Sequence, residues 1–362
     1  MMQISPETQL FIREHSSDDV RVLALQAKKY PDIDMPTAIT QIAGRKVAAE
    51  KIPSWWEIEK IWYPKHLSLE QCSSEITARY KARLLQGDSL TDLTGGFGID
   101  CSFLATGFKS ATYVERQEEL CEIAAHNFPV LNLNHINIKN EDGVTYLQAM
   151  SPVDCLFLDP ARRNEHGGKT VAISDCEPNV AELEELLLQK ANRVMIKLSP
   201  MLDLSLALKE LKQTQEVHIL SVNNECKELL ILLGQTSPAE ISIHCVNLFT
   251  KGTQKEQHFV FTREQEQCSE CTYTDSLETY LYEPNASLLK AGAFRSIAAA
   301  YPVRKLHPNS HLYTSDTFIE NFPGRIFRIV NQCSFNKKEV KENLADLKKT
   351  EFIFGLIAEK EN

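Results

Sequence analysis

Three glycines within four residues stand between a short apolar run and an amphipathic segment, and this turn constrains the fold more than any other feature of the chain. Gly95, Gly96 and Gly98 follow Asp92 and Thr94 closely. Glycine takes positive φ at no steric cost and lets the backbone approach a ligand. Turns between a strand and a helix in ligand-binding α/β folds require both properties. The turn therefore predicts a binding loop for a nucleoside-containing cofactor.

Two further strand ends narrow the choice of cofactor. The strand-like run 111–114 ends in Glu115, whose carboxylate can accept hydrogen bonds from both hydroxyls of a ribose. The buried-strand run 153–158 is followed by the sequence Asp-Pro-Ala-Arg-Arg at 159–163. The glycine spacing is G-G-x-G and not G-x-G-x-x-G, so the dinucleotide fingerprint is not met.

These three motifs, in this order, resemble those of the class I S-adenosylmethionine-dependent methyltransferases over about residues 71–234. The resemblance implies that Asp92 and the glycine turn hold the amino acid end of S-adenosylmethionine, Glu115 the ribose, and Asp142 the adenine amino group. An ordinary Asp-Gly turn also explains Asp142. The cofactor-binding residues that this resemblance predicts are Asp92, Thr94, Gly95, Gly96, Gly98, Glu115, Asp142 and Asp159.

The segment from Asp159 to Arg162 is similar to the D/N-P-P-Y/F/W motif of enzymes that methylate amino groups on bases. In that motif the carboxylate and a backbone carbonyl accept the two N–H bonds of the amine. Arg162 stands where the aromatic residue would stack, so base stacking would come from its guanidinium plane or from another part of the chain. Asp159, Pro160 and Arg162 are the predicted catalytic residues. Cys155 lies too early in its strand to act as the nucleophile of carbon methylation, which favours nitrogen.

The predicted substrate-binding residues are Arg162, Arg163 and Lys197. Both arginines would lie at the open carboxyl edge of the sheet, where a guanidinium suits phosphate. They could instead pair with nearby carboxylates at Glu165, Asp175 or Glu177. Lys197 would line the substrate pocket or simply end its strand, and residues 164–169 would form a loop over the site.

The periodicity of the chain predicts an α/β fold with an N-terminal helical region and a small C-terminal α+β module. The resemblance implies that the sheet is a Rossmann-like class I methyltransferase sheet. The expected domains are 1–85, helical; 86–270, S-adenosylmethionine-binding; and 271–362, a ferredoxin-like/THUMP-like substrate-binding module. Expected strands cover 89–93, 110–114, 134–138, 153–158, 192–198, 216–222, 256–262 and 271–275. Expected helices cover 99–107, 116–128, 177–190 and 203–213. The resemblance also implies a terminal antiparallel pair at 228–234 and 240–248.

The C-terminal region predicts two βα units, with strands at 277–282, 311–314, 325–330 and 351–358 and helices at 286–300 and 336–348. Residues 282–292 and 322–325 resemble methyltransferases that carry a ferredoxin-like segment followed by a THUMP-like RNA-binding domain. From Glu283 to Lys341 there are nine Lys or Arg against four Asp or Glu, in a chain of net charge −10. Such asymmetry indicates a polyanionic partner, and we expect RNA.

Several classes of function are not favoured. No apolar run approaches the roughly 20 residues that span a bilayer, and the N-terminus lacks a signal-peptide pattern, so we expect a cytoplasmic protein with no membrane partner. Cys268 and Cys271 lack a second ligand pair, and even with His244 and Cys245 nearby we expect no metal. The leading interpretation is methylation of a base nitrogen in rRNA or tRNA. Its alternatives are a methyltransferase acting on a protein or small molecule, and a non-catalytic RNA-binding protein with a retained methyltransferase scaffold.

Overall fold

The computed structural model describes residues 4–162, 172–236, 238–332, 351–353 and 356–360. The chain forms two compact units. The first comprises Met1–Lys197 with Leu232–Gln235, and the second comprises Leu198–Ile231 with Thr236–Asn362.

The first unit begins with short helices, as the sequence predicts. Polar side chains at Ser5, Asp19 and Asp34 accept hydrogen bonds from backbone N–H groups in the first turns of three of them, which fixes where these helices start. Trp55 is buried and meets the ring of Phe97 edge-on at 5.2 Å between centroids. The helices are α1 (Pro6–Glu14), α2 (Val20–Leu25), α3 (Met35–Lys51), α4 (Pro53–Trp56), α5 (His66–Gln71) and α6 (Glu75–Ala82).

A parallel sheet follows in the first unit. Its strands are β1 (Ser89–Asp92), β2 (Ser110–Glu115), β3 (Ile136–Asn140), β4 (Val153–Leu158) and β7 (Ala191–Leu198), in the order β3-β2-β1-β4-β7. The connecting helices are α7 (Ile99–Ala105), α8 (Glu118–Val130), α9 (Gly143–Ala149) and α10 (Val180–Lys190), and a small hairpin pairs β5 (Ala161–Arg162) with β6 (Cys176–Glu177). Register places Asp92 beside Tyr113 and Phe157, so the carboxyl ends of β1, β2 and β4 meet at one edge. The Rossmann-like prediction is confirmed.

The second unit contains α11 (Leu204–Glu210), β8 (Thr214–Val222), β9 (Glu225–Gly234), β10 (Ser242–Leu248), β11 (Glu256–Phe261) and α12 (Arg263–Cys268). Asn223 and Asn224 have positive φ and join β8 to its neighbour β9, which makes that pair an antiparallel hairpin. β10 runs parallel to β8 on its other edge, and β11 is antiparallel to β10. The predicted pairing of 228–234 with 240–248 is therefore wrong, because β8 lies between these strands.

The C-terminal part of the second unit forms a separate antiparallel sheet. It comprises β12 (Tyr280–Pro284), α13 (Ala286–Ala291), α14 (Ser296–Ala300), β13 (Arg304–Lys305), β14 (Tyr313–Ser315), β15 (Gly324–Gln332), β16 (Glu351–Ile353) and β17 (Leu356–Lys360), with strand order β13-β14-β12-β15-β17-β16. Three predictions need correction. Helix 286–300 is two helices, because Gly292 takes φ of +76° after the first. Segment 271–275 contributes one bridge, from Tyr273 to Lys305, and 351–358 holds parts of two strands. Helix 336–348 lies outside the described residues.

The helices that the structure describes all lie between residues 4 and 332, and none is long and apolar enough to cross a membrane.

Candidate active site

The glycine turn lies between the carboxyl end of β1 and the start of α7. Gly96 and Gly98 have φ of +55° and +86°. Gly95 donates its N–H to the carbonyl of Val114 at 2.8 Å, and a Cβ on Gly95 would lie 2.2 Å from the ring of Tyr113. The Tyr113 hydroxyl donates to the carbonyl of Gly96. The three glycines are thus required by packing or by positive φ, as the sequence predicts for a tight binding loop.

Asp92, at the end of β1, carries a buried carboxylate. Its Oδ1 accepts the backbone N–H of Thr94 at 3.0 Å, but no hydrogen-bond partner for its buried Oδ2 exists within the described part of the chain. Burial raises the pKa of Asp92 well above its usual value, and the nearby carboxylates of Asp100 and Asp159 raise it further. An added donor group beside Oδ2 would satisfy this carboxylate.

The space beside Gly96 is open. A Cβ built on this residue would meet only the carbonyl oxygen of Thr94, at 3.8 Å. Glu115, at the end of β2, turns its carboxylate to the same turn, because Oε2 accepts the N–H of Gly96 at 2.9 Å. Oε1 accepts the N–H of Gln117 at 2.8 Å. A carboxylate oxygen has more than one acceptor position, so Glu115 can also accept hydroxyl groups of a ligand.

Asp142 caps helix α9. Its Oδ1 accepts the backbone N–H groups of Val144 and Thr145, each at 3.0 Å. The side chain is exposed, and Gly143 beside it packs so closely that a Cβ would lie 2.2 Å from the carbonyl oxygen of Leu93. The structure thus gives Asp142 the role of a helix cap, and contact with adenine stays a prediction.

Asp159 follows β4 and forms an ion pair with Lys197, with Oδ2 and Nζ 2.6 Å apart. The N–H of Asp159 donates to Oγ1 of Thr94 at 2.6 Å, which ties the end of β4 to the glycine turn. Desolvation raises the pKa of Asp159 above its usual value, although Lys197 opposes this. Asp159 remains partly exposed while Pro160 is buried, so the carboxylate lies at the surface of the site.

The sequence did not predict a buried ion network around Asp100, which reaches Asp159 through Lys197. Asp100 lies 3.0 Å from Nζ of Lys81 through Oδ1 and 3.1 Å from Nζ of Lys197 through Oδ2. Ser73 donates its hydroxyl to Asp100 at 2.7 Å and accepts from both lysines, at 2.9 and 3.0 Å. Burial opposes ionisation of Asp100, but the two lysines hold its pKa well below the usual range. Asp100 therefore stays charged inside the first unit.

The structure describes only some of the predicted substrate-binding residues. The backbone of Arg162 pairs with Cys176 in the β5–β6 hairpin. Arg163 and the predicted loop 164–169 lie outside the described residues. Lys197 lies next to Asp159, and its role as a pocket-lining residue stays a prediction.

Comparison with known proteins gives matches to the segment 280–323 and to nearly the whole chain. A family model described as a ferredoxin-like domain matches residues 280–323. A crystal structure from Porphyromonas gingivalis W83, named a "putative methyltransferase", is 34% identical with a TM-score of 0.83, covering 96% of this chain and 88% of that one. A search of curated proteins found no match.

More distant solved structures match only part of the chain. An rRNA methylase from Streptococcus thermophilus and SMU.1697c from Streptococcus mutans, solved with SAH, are each 14% identical with a TM-score of 0.32. Both cover 44% of this chain, with 93% and 96% of their own lengths. These two likenesses are too distant to bear on function. The identity of 34% over nearly the whole chain shows that this chain belongs to the methyltransferase family of the Porphyromonas gingivalis protein.

Proposed function

We propose that this protein is an S-adenosylmethionine-dependent methyltransferase that modifies RNA at a base nitrogen. The observation that carries the proposal is the geometry at the carboxyl ends of β1 and β2, where three features converge. These are the unsatisfied Oδ2 of Asp92, the open space at Gly96 and the carboxylate of Glu115. Ligands bind at this edge of open α/β sheets.

The residues present fit S-adenosylmethionine. The amino group of the cofactor is a cationic donor, which an unsatisfied buried carboxylate such as Asp92 accepts. Glu115 would accept the ribose hydroxyls and Asp142 the adenine amino group, with the turn at Gly96 against the amino acid end. When bound, this cofactor supplies an electrophilic methyl group.

The protein's own part in transfer is to position the acceptor. Oδ2 of Asp159 is held by Lys197, so Oδ1 and the carbonyl of Pro160 are the acceptors that would orient an exocyclic amine. Positioning alone can supply several kcal/mol of a barrier, about 7–11 kcal/mol in the best cases. Lys197 in turn is held by Asp100 and Ser73, which fixes the direction of the Asp159 carboxylate.

The proposal that the substrate is RNA rests on the charge distribution along the chain and on the ferredoxin-like region. The segment from Glu283 to Lys341 has a net charge of +5 in a chain of net charge −10. A basic segment in an otherwise acidic chain favours a polyanion over an acidic protein as partner. Contacts to phosphates of single-stranded RNA would make log K fall with log salt at about −0.7 per contact.

Calorimetric titration with S-adenosylmethionine, with NAD as a control ligand, tests the cofactor. We expect micromolar binding by the natural chain and none by Gly96→Asp, whose carboxylate would occupy the open space. Gly107→Asp is the matched control, because Gly107 is exposed and a Cβ there meets only one carbonyl, at 3.7 Å. Equal binding by both variants, or binding of NAD instead, would refute the proposed cofactor.

Transfer of labelled methyl to total RNA and to total protein then tests the acceptor. Asp159→Ala should abolish transfer and leave cofactor affinity nearly unchanged. Label in protein and none in RNA would contradict the RNA assignment. Cofactor binding without any transfer would favour a non-catalytic RNA-binding role.

A further inference from the structure

A row of histidines crosses three strands of the second unit, β8, β10 and β11, whereas the residues of the proposed active site belong to the first unit. Glu216 and His218 are two residues apart on β8, so both side chains lie on one face. Strand β10 pairs in parallel with β8 in a register that places His244 next to His218. His258 on β11 lies beside His244, with Nε2 3.2 Å from Nδ1 of His244.

The donor atoms of this row are close together. Oε2 of Glu216 lies 3.2 Å from Nε2 of His218, and the rings of His218 and His244 stack with centroids 4.3 Å apart. One ligand atom from each of Glu216, His218 and His244 lies within 4.8 Å of the other two. Zinc bonds of about 2.0–2.2 Å in a tetrahedral arrangement place neighbouring donors about 3.3 Å apart. The Glu216–His218 spacing already meets this requirement.

We propose that Glu216, His218 and His244 form a binding site for a divalent transition-metal ion, most suitably zinc. Imidazole nitrogen with one carboxylate oxygen is a ligand set that zinc takes readily. Because the two rings now stack at 16°, binding requires one imidazole to turn about χ2 so that both lone pairs converge.

The ring of His244 lies between those of His218 and His258, and its Nδ1 is 3.2 Å from Nε2 of His258. In the tautomer in which Nδ1 of His244 donates to Nε2 of His258, Nε2 of His244 keeps its lone pair for the metal. His258 is then a positioning residue for His244. The bound ion would join β8 to β10.

The test uses the full-length chain without an affinity tag, stripped with a chelator and titrated with zinc chloride against a competing chromophoric chelator. We expect about one zinc ion per chain and no tight binding by His244→Ala or Glu216→Gln. His258→Ala should bind zinc about 10–100-fold more weakly, as for other residues that orient a ligand. Cobalt(II) should give the intense visible absorption of a tetrahedral site in the natural chain but not in His244→Ala or Glu216→Gln.

His66→Ala is the matched control, because His66 and Glu70 form an exposed pair 3.5 Å apart with no further histidine nearby among the contacts described. This variant should bind zinc like the natural chain. Circular dichroism shows whether each variant is folded, and Glu216→Gln keeps the shape of the site. Absence of binding by the natural chain, or equal binding by the natural chain, His244→Ala and Glu216→Gln, would overturn the proposal. The readout is metal content, so it is independent of methyl transfer.

Discussion

Replacing Asp100 by Asn should destabilise the first unit strongly. Asp100 lies between Lys81 and Lys197, both buried, and accepts a hydrogen bond from Ser73. The substitution keeps one oxygen acceptor but removes the negative charge that faces the ammonium groups of both lysines. Removing one partner of a buried ion pair costs about 3–5 kcal/mol. That loss is a large part of the roughly 5–15 kcal/mol that stabilises a typical domain.

Unfolding in urea, followed by tryptophan fluorescence, measures this loss in the relevant unit, because all three tryptophans of the chain lie at residues 55–62. The pKa of Asp100 is lowered in the folded state. Its stabilising contribution is therefore complete above the unfolded pKa of about 3.9 and declines as pH falls. The difference between natural chain and variant should shrink by about 1 kcal/mol from pH 5 to pH 3.

Asp88→Asn is the control for this experiment. Asp88 pairs with Lys109 at 2.8 Å, and both side chains are mostly exposed. Exposed pairs contribute little to stability, so this variant should unfold like the natural chain. A loss below about 1 kcal/mol for Asp100→Asn, or equal losses for the two variants, would refute the view that the buried network holds the site together.

Further predictions concern the glycine turn and the cap of helix α9. Gly95→Ala should lower stability by about 1–3 kcal/mol, because its Cβ would collide with the ring of Tyr113. Gly96→Ala should lower stability by only about 1–2 kcal/mol, because of the positive φ at this position, yet it should weaken S-adenosylmethionine binding more than Gly95→Ala does. Denaturation measures the loss of stability and calorimetry measures the loss of affinity. Asp142→Ala should cost about 0.5–2 kcal/mol through loss of the cap, whereas Asp142→Asn keeps the cap. Reduced cofactor affinity in Asp142→Asn at unchanged stability would indicate contact with adenine; unchanged affinity would leave Asp142 a cap alone.

The sequence predicted the strands of the parallel sheet well, because each strand is a short apolar run bounded by turn residues. Most of the connecting helices were predicted from their amphipathic pattern. The sequence placed β3 two residues early and missed α9, a single seven-residue helix. The order of β8, β9 and β10 could not be predicted from local pattern. It depends on the Asn223–Asn224 turn, which pairs β9 with β8 and leaves the other edge of β8 to β10.

The site shows a similar division between local and long-range information. The glycine turn, Glu115 and Asp159 are recognisable because each directly follows a strand. Lys81 lies in α6 and Ser73 shortly before it, in a segment with the pattern of an ordinary amphipathic helix, and only folding brings them to Asp100. The histidine row was missed for the same reason, since its members lie on three strands that are distant in sequence.

The buried network also bears on how the chain is organised. Ser73 and Lys81 lie before residue 86, where the sequence places the start of the S-adenosylmethionine-binding domain, yet they supply two of the polar groups around Asp100. Trp55 packs against Phe97 of the glycine turn in the same unit. A fragment beginning at residue 86 would leave Asp100 without Lys81 and Ser73 and would expose the ring of Phe97. The helical N-terminal region is therefore part of the structure that holds Lys197 and Asp159 in place, and not a separable attachment to it.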